Sequence, residues 1–194
     1  MSPLTLNKIK LPFNRTASYS ILLRLLHWLM LPMLAVQVIS GFYSASLPFG
    51  FERFIWLSRH KSFGMLLLAL ALFRVFARLL QKQPGYGDSL SPVQIRLATS
   101  VHYGLYLCLL LIPISGWLMA SAAKLPPGFF GLFQFPALIA ENKSISLLFN
   151  QAHTFLVWFF CFLFSLHLFA VIYHIKIIKD AVFDRIAIRF KPDQ

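Results

Sequence analysis

Acidic side chains are nearly missing from this chain. Six Asp and Glu stand against 18 Lys and Arg in 194 residues, and charged residues of either sign make up only 12%. A soluble globular domain carries about 25% charge, so composition argues against a water-soluble fold. Cysteine is scarce too: Cys108 and Cys161 are the two present, each inside an apolar run. Such residues are expected to be buried free thiols, and a disulfide framework is excluded. Internal repeats and low-complexity tracts are absent. The net charge of +12 would suit a nucleic-acid binder if the cations formed a basic stripe. They flank apolar runs instead, so nucleic acid is rejected as a partner.

What the chain has is apolar length. Hydrophobic residues reach 58%, with 21 Phe, and mean hydropathy is +0.71. Four runs approach the roughly 20 residues that cross a bilayer as helix, at about 21–44, 61–80, 97–122 and 152–178. The expected fold is therefore an all-α membrane protein, a bundle of four transmembrane helices. Its length allows one membrane domain over 1–194: an N-terminal flank 1–19, a bundle 20–178 and a C-terminal tail 179–194. The first run is too long for the apolar core of a cleavable signal. Pro32 and Pro113 fall inside spans, where local kinks accommodate them. Pro84-Gly85-Tyr86-Gly87-Asp88 breaks the chain between the second and third runs.

Cation placement orients the bundle. Thirteen lie on the side of the termini: Lys8, Lys10, Arg15, Arg24, Arg74, Arg78, Lys82, Arg96, Lys176, Lys179, Arg185, Arg189 and Lys191. Five lie on the other: Arg53, Arg59, Lys61, Lys124 and Lys143. The bias puts both termini in the cytoplasm of a multi-pass protein. Trp28, Trp56, Trp117 and Trp158 read as interfacial anchors. The connection 124–151 contains Phe129-Phe130-Gly131-Leu132-Phe133-Gln134-Phe135-Pro136 and is too interrupted to span. It is expected to lie in the outer interface or to cap the bundle.

Histidines fall into two layers. His153 and His167 stand fourteen residues apart on the fourth run, which as helix is about 21 Å of rise and only about 40° of rotation. An ionisable group inside a membrane helix is costly and marks a functional site by default. With orientation set, His60 joins His153 near the outer surface. His27 and His102 join His167 near the inner one, and His174 lies further in, at the headgroups. A haem takes two axial ligands from facing helices at one depth. His60 with His153 forms one such pair and His27 with His167 the other. His102 remains an alternative inner ligand, or a contact to propionate, quinone or the bundle. No C-x-x-C-H occurs, so any haem is held noncovalently.

The same interval picks out more residues. Gly41 follows His27 by fourteen, and Gly116 follows His102 by fourteen, so both fall at the outer layer, where they make room for a porphyrin edge or serve helix packing. Gly64, one turn after His60, has the same two readings. Arg74 follows His60 by fourteen and reaches the inner layer, where it pairs with a haem propionate or snorkels to headgroups. Zinc, wanting four convergent ligands, fits two separated layers poorly. An ion channel would want a more polar lining.

Arg24-Leu25-Leu26-His27-Trp28, His60-Lys61-Ser62-Phe63-Gly64 and Arg74-Val75-Phe76-Ala77-Arg78 open and close the first two spans. His102-Tyr103-Gly104-Leu105-Tyr106 with Ile112-Pro113-Ile114-Ser115-Gly116 marks the third, and His153, His167 and His174 mark the fourth. Over roughly 17–190 the chain thereby resembles the bacterial cytochrome b561 family. The resemblance implies a four-helix bundle holding two b haems in the inner membrane, with the same histidine pairs as ligands. It implies electron transfer between the outer face and the quinone pool, with ubiquinone as partner. One branch is similar to superoxide:ubiquinone oxidoreductases, so superoxide is one candidate donor, which Arg59 and Lys61 would attract if they are not headgroup contacts. A periplasmic redox protein or a lipophilic donor is another. Similar cytochromes serve as membrane anchors joining a hydrogenase or dehydrogenase to quinone. A haem-free transporter or structural bundle is the remaining competitor.

Overall fold

The computed structural model describes residues 18–81, 90–180 and 182–188. Lys8, Lys10, Arg15, Lys82, Arg189 and Lys191, together with the Pro84–Asp88 break, lie outside the described residues. Four long helices carry the chain: α1 (Ile21–Ser46), α2 (Phe51–Leu80), α3 (Pro92–Ala122) and α4 (Lys143–Tyr173). All four are long and apolar enough to cross a membrane.

Three of the four helices begin at a side-chain cap. Ser20 Oγ accepts from the Leu23 N–H. Ser91 and Gln94 close a reciprocal capping box ahead of α3, with Pro92 in the first turn. Asn142 Oδ1 accepts from the Ile145 N–H to start α4. Three helix starts lie away from the hydropathy reading, those of α3 and α4 at these caps and that of α2 after Gly50, which makes no side-chain cap. Helix α2 starts ten residues before the expected residue 61, α3 five before 97, and α4 nine before 152. The added turns carry Glu52, Arg53, Arg59, Arg96, Lys143 and Asn150, which hydropathy discards although capping and helix propensity admit them. As a result His60 and His153 sit well inside their helices. Trp158 falls mid-helix, 60% exposed and tilted against Phe42, rather than at a span end.

Helix α1 packs chiefly on α2, and α3 chiefly on α4, with α2 against α3 joining the halves. Met30, Leu67 and Ala71 form one core; Cys108, Phe160 and Leu163 form the other. Leu34 and Leu109 touch both cores and stitch them together. A Cβ on Gly104 would lie 2.7 Å from Leu163 Cδ1, so the missing side chain sets the approach of α3 to α4. Phe155, Phe162 and Phe169 remain exposed along α4, the surface that lipid covers. Cys108 and Cys161 are free thiols.

The aromatic connection is partly ordered into a small hairpin. Strands β1 (Gly128–Phe129) and β2 (Phe133–Gln134) pair antiparallel, Gly128 opposite Gln134 and Phe129 opposite Phe133. Phe130 turns the chain at φ 50° and Gly131 at φ 80°. The Phe130 N–H donates to Ser62 Oγ at 3.0 Å and its ring meets Phe63 edge-on, which holds this unusual backbone. The Trp117 indole donates to Pro136 O. The hairpin therefore caps α2 and α3 at what is here termed the hairpin end.

At the opposite, terminal end, α4 widens into a π-helical turn, His174–Ile178, and the chain folds back through a 3-10 turn, Phe183–Arg185. Three hydrogen bonds tie this segment to α1 and its approach: Tyr19 N–H to Arg185 O, the Trp28 indole to Ile186 O, and Arg24 Nη1 to Ala187 O. His174 Nδ1 lies 2.6 Å from Asp180 Oδ2, both side chains largely buried.

Candidate functional site

Two histidine pairs occupy the bundle interior, one toward each end. At the hairpin end, α2 supplies His60 and α4 supplies His153, ring centroids 6.4 Å apart and planes at 80°. At the terminal end, α1 supplies His27 and α4 supplies His167, centroids 6.3 Å apart and planes at 73°. His102, from α3, also reaches His167, but at 5.3 Å. The expected pairs are thus brought together, with a third histidine at the terminal end.

The spacing separates these contacts. A first-row metal–imidazole bond is about 2.0–2.1 Å, so two imidazoles across one ion hold their centroids roughly 6.4 Å apart. Both expected pairs meet that figure. His102 with His167 falls short of it. Among the described residues no three His, Cys, Asp or Glu converge as a metal cage. A metal between these rings would need its other ligands from elsewhere, as a porphyrin provides.

Neighbouring oxygens set the hairpin-end tautomers. His60 Nδ1 lies 3.2 Å from Ser40 Oγ, whose own proton goes to Gln37 O at 3.0 Å. Ser40 therefore accepts, His60 carries its proton on Nδ1, and Nε2 keeps its lone pair. The Gln37 amide donates to that nitrogen at 3.3 Å and to His60 O at 3.0 Å. His153 Nδ1 donates to Ile112 O at 2.9 Å, with Ser115 Oγ 3.1 Å away. Its Nε2 is likewise a free base. This is the pattern that orients metal-binding imidazoles.

Two glycines complete this end. A Cβ on Gly41 would come 2.9 Å from His60 Cε1, and one on Gly116 would come 3.2 Å from His153 Cε1. One glycine on α1 and one on α3 therefore make room for the two rings. Gly64 serves a different neighbour: its missing side chain admits Gln37, whose Nε2 would sit 3.0 Å from a Cβ there.

Arg74 dominates the terminal end. Its Nη1 donates to Leu23 O at 2.7 Å and its Nε to Tyr106 O–H at 3.2 Å. Nη2 faces His27 Nδ1 at 3.4 Å. Arg78 lies over the Tyr106 ring. Arg74 thus reaches the depth that its spacing from His60 requires, where its guanidinium is suited to a bidentate carboxylate.

Gln37 and Ser40 escaped the sequence reading, and Ser115 and Tyr106 entered it only as members of motifs, with no role assigned. The usable signal was polarity inside apolar helices: Ser40 and Ser115 each immediately precede one of the glycines facing the hairpin-end rings.

The prokaryotic cytochrome b561 family model matches residues 18–187. "Cytochrome b561 homolog 2" of Escherichia coli (strain K12) is 35% identical over 126 residues, 65% of this chain and 67% of that protein. The family match extends beyond the four helices to the folded-back C-terminal segment. The chain belongs to the prokaryotic cytochrome b561 family, membrane proteins that carry haem b and transfer electrons.

Proposed function

We propose that this protein is a di-haem b electron carrier, passing electrons between a one-electron donor at the hairpin end and the quinone pool. The observation that carries the reading is the spacing of two histidine pairs, 6.4 Å and 6.3 Å, with α4 contributing one member of each. His60 and His153 would hold one haem; His27 and His167 would hold the other. Bound haem b supplies one-electron iron chemistry. The chain's own part is to fix the rings, keep Nε2 of His60 and His153 unprotonated, and exclude water with Met30, Leu67, Cys108 and Phe160. Arg74 would take a propionate of the terminal-end haem. Ubiquinone is the proposed electron partner within the bilayer.

The cation bias supports a bacterial inner-membrane protein with both termini cytoplasmic, which makes the hairpin end periplasmic. Superoxide is one donor that such an end would meet. Lys61 Nζ is engaged by Leu125 O and Arg59 lies over Trp56, so steering of an anion would rest on the general positive field. A second reading, a haem-bearing anchor subunit for a dehydrogenase or hydrogenase, is favoured by the exposed hairpin tip, where Leu132 is 78% accessible.

The test is purification from haem-replete cells, followed by stopped-flow reduction with a donor panel in quinone-containing liposomes. A b-type spectrum with quinone-dependent reoxidation is expected. A colourless, folded preparation would sink the proposal. A red protein that turns over only with a co-purifying catalytic subunit would favour the anchor.

A further inference from the structure

Helices α1 and α4 supply the terminal-end rings, His27 and His167. Among the described residues, however, the closely packed helix pairs are α1 with α2, α2 with α3 and α3 with α4. In the hairpin half, Phe42 of α1 meets Trp158 of α4, and in mid-bundle Leu34 of α1 packs on the core of Cys108, Phe160 and Leu163. At the terminal end, the chain beyond α4 makes the connection. Lys179 takes a left-handed conformation, φ 56°, which ends the π-helical turn and reverses the chain. Asp180 pins that reversal: its Oδ2 accepts from His174 Nδ1 at 2.6 Å and its Oδ1 from the Val182 N–H at 3.1 Å.

Residues 182–188 then reach α1 beside His27. Ile186 O accepts from the Trp28 indole at 3.0 Å, and Ala187 O from Arg24 Nη1 at 2.9 Å. Phe183 meets Trp28 edge-on, and Trp28 meets His27 edge-on. Arg185 is buried, with its guanidinium over the Tyr19 ring and its carbonyl accepting from the Tyr19 N–H at 3.0 Å. This crossing ties together the two helices that carry the His27–His167 pair, so α1 and α4 cannot part at this end while it is in place. Yet of residues 182–188 only Arg185 is buried. A segment held by hydrogen bonds and ring contacts, without a buried apolar cluster of its own, opens locally before the bundle unfolds. Its root is a π-helical turn, a geometry frequent at functional sites.

We propose that this segment is a clasp that controls entry and retention of haem at the terminal end. Open, it lets α1 and α4 part to admit the haem. Closed, it holds the two helices together and fixes Trp28 against His27. The clasp rests on the di-haem reading and acts on one end alone.

Haem transfer from the loaded protein to excess apomyoglobin tests this, with the terminal-end phase identified as the one that His27→Ala lacks. A double variant, Tyr19→Cys with Arg185→Cys, places two thiols where the backbones are hydrogen-bonded and the side chains face each other, so that a disulfide can close the clasp. One preparation of it is measured oxidised and then reduced. The oxidised form should release the terminal-end haem several-fold more slowly than the reduced form, with equal release from the hairpin end. Asp180→Ala removes the pin without touching α1. It should hasten terminal-end release about tenfold, the scale of one lost charge-assisted hydrogen bond. An unchanged hairpin-end haem verifies that each variant is folded. Equal terminal-end release from the oxidised and reduced forms overturns the clasp and leaves the di-haem reading standing. So does Asp180→Ala hastening neither haem, or both alike. A parent protein without the terminal-end phase overturns the di-haem reading, and the clasp with it.

Discussion

At the hairpin end, each paired histidine turns its Nδ1 toward an oxygen: Ser40 Oγ for His60, Ile112 O for His153. At the terminal end, His27 Nδ1 faces Arg74 Nη2, a donor. The two pairs share nearly the same spacing and differ in what surrounds them. A hydrogen bond from Arg74 requires the His27 proton to sit on Nε2, the nitrogen that would bind a metal. The hairpin pair already carries its protons on Nδ1 and needs only the Gln37 amide to leave His60 Nε2, whereas the terminal pair needs Arg74 to turn away and the His27 proton to move to Nδ1. A propionate on Arg74 would accomplish the first of these changes and favour the second. The comparison teaches that one end is preorganised by fixed neutral acceptors, while the other couples ligand geometry to a charged side chain that the cofactor itself can engage.

The largest effect comes from removing a ring. His60→Ala or His153→Ala should empty the hairpin end alone, and His27→Ala or His167→Ala the terminal end alone. Each should drop pyridine-haemochrome stoichiometry from about two haems per chain to about one. Loss of both by any one variant would mean that the ends are not independent sites.

Next in size is Arg74→Gln. Loss of a group that orients a ligand or its cofactor typically costs about 10–100-fold in affinity. Haem titration should show that loss at the terminal end with the hairpin end unchanged. An equal loss at both ends would erase the contrast between them.

Gly41→Ala places a methyl 2.9 Å from His60 Cε1. Overpacking of this kind costs about 1–3 kcal/mol and should alter the electron paramagnetic resonance signal of the hairpin-end haem. Gly104→Ala is the matched control: its methyl meets Leu163 instead, so it should lower thermal stability and leave both signals in place.

Smaller still is Ser115→Ala. His153 keeps its bond to Ile112 O, so the loss should be about 0.5–1.5 kcal/mol, read as slightly faster haem release from the hairpin end. Smallest is His102→Leu, which should leave both haems bound. Loss of the terminal-end haem would show that a centroid spacing of 5.3 Å does not exclude His102 as a ligand.

The long-range arrangement was legible because helices convert interval into depth. His153 and His167 share a face through rise and rotation alone, and Gly41 and Gly116 were placed beside the hairpin-end pair by the same rule. Arg74 was brought to the right depth by its distance from His60, although the sequence could not show its contacts with Leu23 O and Tyr106. Of the two readings open for Gly64, helix packing is the one its neighbour fits, since a Cβ there would meet Gln37 of α1; the sequence could not name that partner on another helix. Helix starts were missed where capping residues and charged turns extend an apolar run. The folded-back C-terminal segment was invisible for a further reason: its contacts to Arg24 and Trp28 span more than 150 residues, and no periodicity links such partners.

Helix α4 contributes His153 to one pair and His167 to the other. Inserting or deleting one residue between them would turn one ring by about 100° relative to its partner and shift it by about 1.5 Å. No relaxation of a loop restores both pairs, since the interval is continuous helix. The connection between α3 and α4 has no such constraint and can lengthen or shorten with its hairpin. Changes of length in this chain should therefore be tolerated between helices and lethal to function within the fourteen-residue interval, which acts as a ruler that descent cannot recalibrate.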